Sequence, residues 1–123
     1  MDQVAEIEDA LGKHALWMSE LRQAVLYAPA GIDVESIRAD DRCEFGRWLY
    51  GSHWSSAERA SESYEEVRRV HAEFHQLAGE VVDLAASGRT LEAYGLLYGD
   101  YVTVSGRLAI AMRAWQARLR HAP

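Results

Sequence analysis

The residues best suited to chemistry in this chain are three histidines and its only cysteine, each placed where a helical pattern calls for an apolar side chain. His14 falls in the run Val4, Ile7, Leu11, His14, Met18, Leu21, Val25. His71 falls in a second run, Tyr64, Val67, His71, Phe74, Ala78, Val81, Ala85. His75 lies one helical turn past His71, and Cys43 opens a short aromatic segment between the two runs. Imidazole and thiol groups directed into one core need a reason to be there. A tetrahedral zinc ion supplies one, because it takes nitrogen and sulfur ligands and is usually held by four of them.

Each residue also has a plainer reading. His71-x3-His75 puts two imidazoles about 5–6 Å apart at Cβ on one helix face, within reach of one ion, yet such a pair can equally face solvent. The place of His71 inside the apolar stripe counts against that. His14 alone reads as a core histidine bonded to a neighbour, and Cys43 alone as a small buried apolar residue. Cys43 follows two candidate capping residues, Asp40 and Asp41, and a helix N-terminus favours the thiolate that zinc requires. One metal accounts for all four together, while spacing alone leaves the plainer readings open. His53 is the competing ligand, but its position after Gly51-Ser52 in a loop assigns it an exposed role. His121, close to the C-terminus, is given no function. Ser105 interrupts the last apolar stripe, either to hydrogen-bond a ligating imidazole or to make room for a bulky neighbour.

Long helices are needed to bring these residues together, and the pattern contains them. The first segment, about Asp2 to Tyr27, alternates three- and four-residue apolar spacings, and Ala28-Pro29-Ala30-Gly31 ends it. An irregular connection to about Asp40 follows, then a short helix holding Cys43 to Tyr50, capped by Asp40 or Asp41. Ser55-Ser56 or Ser61 starts a long helix reaching about Ser87, and Gly88 stops it. Thr90 is the expected cap of the last helix, whose stripe reads Leu91, Tyr94, Tyr98, Tyr101, Ser105, Leu108, Met112, Trp115, Leu119. No alternating strand pattern, internal repeat or low-complexity tract is present. The expected fold is all-α: a single domain over residues 1–123, an antiparallel four-helix-type bundle with a short additional helix carrying the cysteine.

Composition narrows the function classes. At 123 residues the chain is long enough for one core, and 49% hydrophobic with 26% charged residues is an ordinary globular balance. A net charge of −6 argues against nucleic acid as the main partner. No apolar stretch approaches the roughly 20 residues that span a bilayer. The first ten residues carry acids and no basic region, so no signal peptide is expected. One cysteine cannot form an internal disulfide, and a reducing cytoplasm is the expected compartment.

The segment Cys43-Glu44-Phe45-Gly46-Arg47-Trp48-Leu49-Tyr50-Gly51 resembles the central motif of the chemoreceptor zinc-binding (CZB) domain family, in which a cysteine precedes a Gly-x-Trp-Leu-Tyr run. The family also has a histidine near a tryptophan on its first helix and a His-x3-His pair downstream. These match His14 with Trp17, and His71 with His75. The resemblance spans about Ala10 to Ala78. It implies a zinc site made by His14, Cys43, His71 and His75 in a helical bundle that dimerises. It also implies a regulatory module of bacterial chemoreceptors and diguanylate cyclases, which responds to zinc or to oxidation of the zinc-bound cysteine by hypochlorous acid. The 123 residues include no coiled-coil signalling segment and no cyclase domain, so the chain either acts on a separate partner or is a piece of a longer protein.

Four protein ligands close the coordination sphere of zinc, whereas catalytic sites keep a position open for water. No nucleophile–base pair or glycine-rich phosphate loop is present, so the expectation is a zinc-binding sensor and not an enzyme. Cys43, as the oxidisable ligand, is its expected redox switch. The alternative is a structural module in which zinc stabilises a dimer. A hemerythrin-like di-iron carrier needs further histidines and bridging carboxylates, and has no use for a soft cysteine ligand. Leu16 and Trp17 beside Met18 widen the apolar surface of the first helix beyond one seam, which suggests a homodimer.

Overall fold

In the computed structural model, which describes residues 2–28 and 30–121, the apolar stripes read from the sequence become long helical limbs. The first is α1 (Gln3–Tyr27). Asp2 caps it, its carboxylate accepting from the Ala5 N–H at 2.8 Å, which satisfies one of the donors that a helix start leaves free. Ile7, His14, Leu21 and Val25 of the expected stripe are buried, and Val4, Leu11 and Met18 half-buried. Pro29, part of the expected break, lies outside the described residues.

Between the first two long helices the chain is more regular than its pattern suggests. The connection expected to be irregular contains α2 (Val34–Arg38), capped by Asp33; a five-residue helix is too short to leave a periodic signal. The next helix, α3 (Glu44–Leu49), is capped by neither Asp40 nor Asp41. Cys43 itself holds the cap position, its Sγ accepting from the Gly46 N–H at 3.2 Å. Ser55 caps α4 (Ser56–Arg59) and Ser61 caps α5 (Glu62–Ala86), so both serine positions are used. Helix α5 buries its whole stripe from Tyr64 to Ala85.

The last limb departs from expectation in its first half. Helix α6 (Thr90–Leu96), a π-helical turn (Leu97–Tyr101) and α7 (Val102–Arg120) follow without a break. Thr90 is the first helical residue and not the cap; Arg89 holds that position without a side-chain capping bond. A π turn inserts one extra residue into a helical turn, so the apolar phase slips by one. From the last residue of the turn onward, Tyr101, Leu108, Met112 and Trp115 are buried as expected. Up to its first residue, Ala93 and Leu97 take the inward places instead of Tyr94 and Tyr98, and Leu91 is 87% exposed.

Cross-links fix the directions of the limbs. Gln116 donates to the Val4 carbonyl at 3.0 Å and Arg113 pairs with Glu8 at 2.8 Å, so the last limb runs against α1. Arg118 donates to Ser63 and Arg107 pairs with Glu73, so it also runs against α5. Arg38 of α2 lies beside Asp83 near the end of α5, while the Leu49 carbonyl accepts from Tyr64 near its start. The segment from α2 to α4 therefore descends along α5 as the fourth, broken member of an antiparallel bundle. Ile7, Leu49, Phe74, Leu97 and Trp115 are fully buried at its centre. No strand occurs among the described residues, and none of their helices is long and apolar enough to cross a membrane.

Candidate metal centre

All four residues singled out in the sequence meet at one point inside the bundle. His14 comes from the middle of α1, Cys43 from the cap of α3, and His71 and His75 from successive turns of α5. One potential ligand atom from each lies within 4.8 Å of the other three. Backbone carbonyls orient two of the rings. The Nδ1–H of His14 donates to the Ala10 carbonyl one turn earlier, and that of His75 to the Ile37 carbonyl in α2, both at 2.8 Å. With Nδ1 protonated, Nε2 of each ring is a bare lone pair aimed inward.

Cys43 is placed by its neighbours in the aromatic segment. Gly46 packs directly on the chain at Asp40: a Cβ there would fall 1.9 Å from the Asp40 carbonyl oxygen and 2.8 Å from its carbon. Only glycine permits that approach, which turns the chain so that Cys43 faces α5. Phe45 lies edge-on to His14 and His71, with ring centroids 5.6 and 5.2 Å apart. Trp48 packs on Trp54 and Trp115, anchoring α3 to the core. Trp17, expected at a dimer surface, instead sits edge-on to His75 at 4.9 Å and covers the cluster.

Geometry and electrostatics together suit the cluster to a cation. Nε2 of His71 and of His75 are 3.1 Å apart, and each is 3.5 Å from the Cys43 Sγ. A tetrahedron with metal–nitrogen bonds of about 2.0–2.1 Å and a metal–sulfur bond of about 2.3 Å has edges of about 3.3 Å and about 3.6 Å. The fourth atom, Nε2 of His14, is buried without a hydrogen-bond partner. Protons do not fill the role. Burial pushes the His14 imidazole down to about 4 and His71 down to about 2, the neighbouring His75 adding to both, and burial lowers His75 too. Three neutral imidazoles whose lone pairs converge on a thiol are a set of donors for a borderline-soft metal ion.

The electrostatic expectation for Cys43 needs correction. Burial raises the thiol above its ordinary value, outweighing the Gly46 and Phe45 N–H groups that favour the thiolate. The helix start therefore helps, but in a half-buried pocket a bound cation must supply most of the stabilisation of the anion.

The remaining candidates lie elsewhere. His53 is exposed and packs against the rings of Trp48 and Trp54, and His121 is exposed just past α7. Ser105 makes no hydrogen bond to an imidazole among the described residues; with His14 and Met112 it borders a small cavity of about 80 Å³. The Ala10 and Ile37 carbonyls left no trace in the sequence, because a backbone acceptor carries no residue signature.

A family model described as the chemoreceptor zinc-binding domain matches residues 14–82, more than half of the chain. The match opens on His14 and takes in Cys43, His71 and His75. No curated protein and no solved structure matches the chain.

Proposed function

The chain belongs to the chemoreceptor zinc-binding domain family, and we propose that residues 1–123 act as one regulatory unit in which His14, Cys43, His71 and His75 hold a single Zn2+ ion. The observation that carries this is the convergence of His71, His75 and Cys43 at tetrahedral spacings, with the unpartnered Nε2 of His14 inside the same 4.8 Å cluster. Bound there, zinc supplies a closed four-ligand link between chain segments, not an open position for water. His14 and Cys43 lie on separate elements from the His71–His75 pair. Ligation therefore couples metal occupancy to the packing of α1 and α3 on α5.

Two signals suit this arrangement, and both act through that packing. Zinc availability changes occupancy directly. Oxidation of Cys43 by hypochlorous acid converts its thiolate to a sulfenic acid, a poorer ligand, and so loosens α3. The half-buried state of Cys43 supports the second signal, since an oxidant must reach the sulfur. The output passes to a chemoreceptor or diguanylate cyclase partner, in the same chain or another, in the reducing cytoplasm that a lone thiol suits. Leu16, 62% exposed on α1, supports assembly as a homodimer. The alternative, a structural module in which zinc only stabilises that dimer, draws on the near-complete burial of His71 and His75.

Metal analysis and X-ray absorption test the ligand set. About one zinc per chain is expected, with one sulfur at about 2.3 Å and three nitrogens at about 2.0–2.1 Å, unchanged by His53→Ala. Iron in place of zinc, or a spectrum without a sulfur neighbour, overturns it. Hydrogen exchange with and without zinc separates sensor from structural module. A sensor loosens locally at α3, whereas a structural site unfolds the bundle as a whole.

A further inference from the structure

A cleft of about 180 Å³ lies between α1 and the start of α3 and leads from solvent to the metal centre. Its inner wall is His14, Trp17, Cys43 and Phe45, which are buried or half-buried. Its exposed mouth carries the carboxylates of Asp9 and Glu44 with the ammonium of Lys13 between them. The deeper members of the cluster are sealed from solvent, His71 and His75 being at most 1% exposed.

Lys13 spans this mouth. Its Nζ lies 3.0 Å from Asp9 on its own helix and 2.6 Å from Glu44 on α3. Among the described residues, the Lys13–Glu44 pair is the only ion pair or side-chain hydrogen bond joining α1 to the segment 30–61 that carries Cys43. The remaining ties between the two are apolar and aromatic, such as Phe45 against His14.

We propose that Lys13 and Glu44 form a strap across the entrance of the metal centre, setting how fast a divalent cation enters and leaves and how readily solutes reach Cys43. Neither residue is a ligand; they act by holding α3 against α1. The ammonium also occupies the place that an incoming cation takes when it pairs with the mouth carboxylates, so passage requires the strap to swing aside. An exposed ion pair is weak and opens often, which makes the strap a brake on exchange and not a lock. The proposal rests on the zinc reading above.

Lys13→Met and Glu44→Gln test it together, because both cut the strap while changing the charge of the mouth in opposite directions. Zinc-loaded protein is mixed with excess chromogenic chelator and release is timed. Separately, the metal-free protein is timed for alkylation of Cys43 by iodoacetamide. The strap predicts that both variants release zinc and alkylate about two- to fivefold faster than the native chain, with native circular dichroism and one zinc per chain. Rates that move in opposite directions, or stay native in either variant, overturn it. If the native chain itself holds no zinc, the metal reading has failed instead, and the stoichiometry shows this before any rate is measured.

Discussion

Acidifying the metal-free protein from pH 7 to pH 5 probes the buried imidazoles directly. In an unfolded chain a histidine titrates near 6.5. In the fold, burial pushes His14 down to about 4, partly opposed by its bond to Ala10, and pushes His71 down to about 2. As pH falls below 6.5 the unfolded chain takes up protons that the folded chain refuses. Stability is therefore full above that pH and lost on the way down to the folded pKa. Over this window any folded pKa of 4 or below gives nearly the same result, a loss of about 2 kcal/mol per histidine, or about 4 kcal/mol for the two. His75 is lowered as well and adds in the same direction. Carboxylates do not confuse the window. Glu8, held low by Arg113, and Asp33, held low by Ser36, give up their contributions only below about pH 4.5. Urea unfolding of chelator-treated protein, followed by circular dichroism, should show the midpoint falling by about 1–4 M between pH 7 and pH 5. The double variant His14→Gln with His71→Gln should remove most of that fall. Equal midpoints for the native chain at the two pH values would refute the claim that these rings are buried and neutral.

Gly46→Ala drives a Cβ into the Asp40 backbone; thermal or urea melts should show a loss of about 1–3 kcal/mol or more, and competition titration a weaker hold on zinc through the displaced Cys43. Dilute hypochlorous acid should release zinc from the native chain but not from Cys43→His, as followed with a zinc dye; equal release from both leaves only a plain zinc or structural role. Light scattering at tens of micromolar should report a dimer, and Leu16→Lys, on the exposed face of α1, should shift it toward monomer; a native chain that runs as a monomer removes the dimer from the reading.

Local features of this protein were legible because they depend on residues near each other in the chain. The stripe of α5 and the one-turn spacing of His71 and His75 follow from helix geometry alone, and both appear as the periodicity requires. The caps Ser55, Ser61 and the stop at Gly88 belong to the same class. Where two local signals competed, the pattern misled. Asp40 and Asp41 are good capping residues by type, yet Cys43 caps α3 because Gly46 must lie against the Asp40 backbone. The apolar stripe of the last limb has one constant period in the sequence, whereas the π turn at Leu97–Tyr101 shifts its first half by a residue.

The sequence by itself determined the candidate ligand types, the helices that carry them, and the pairing of two histidines on one face. Only the tertiary structure decided that His14 and Cys43 reach that pair, because their side chains meet across limbs whose relative rotation no local spacing records. It also decided which nitrogen of His14 and His75 points inward, through carbonyls that any residue could provide at positions 10 and 37. Trp17 changed roles for the same reason. On α1 alone it is surplus apolar surface, but packed against α5 it is the cover of His75. The link of Lys13 to Glu44, 31 residues away along the chain, was likewise invisible until folding placed α3 beside α1. A one-dimensional pattern specifies which face of an element is buried; what that face meets is set by packing among the limbs.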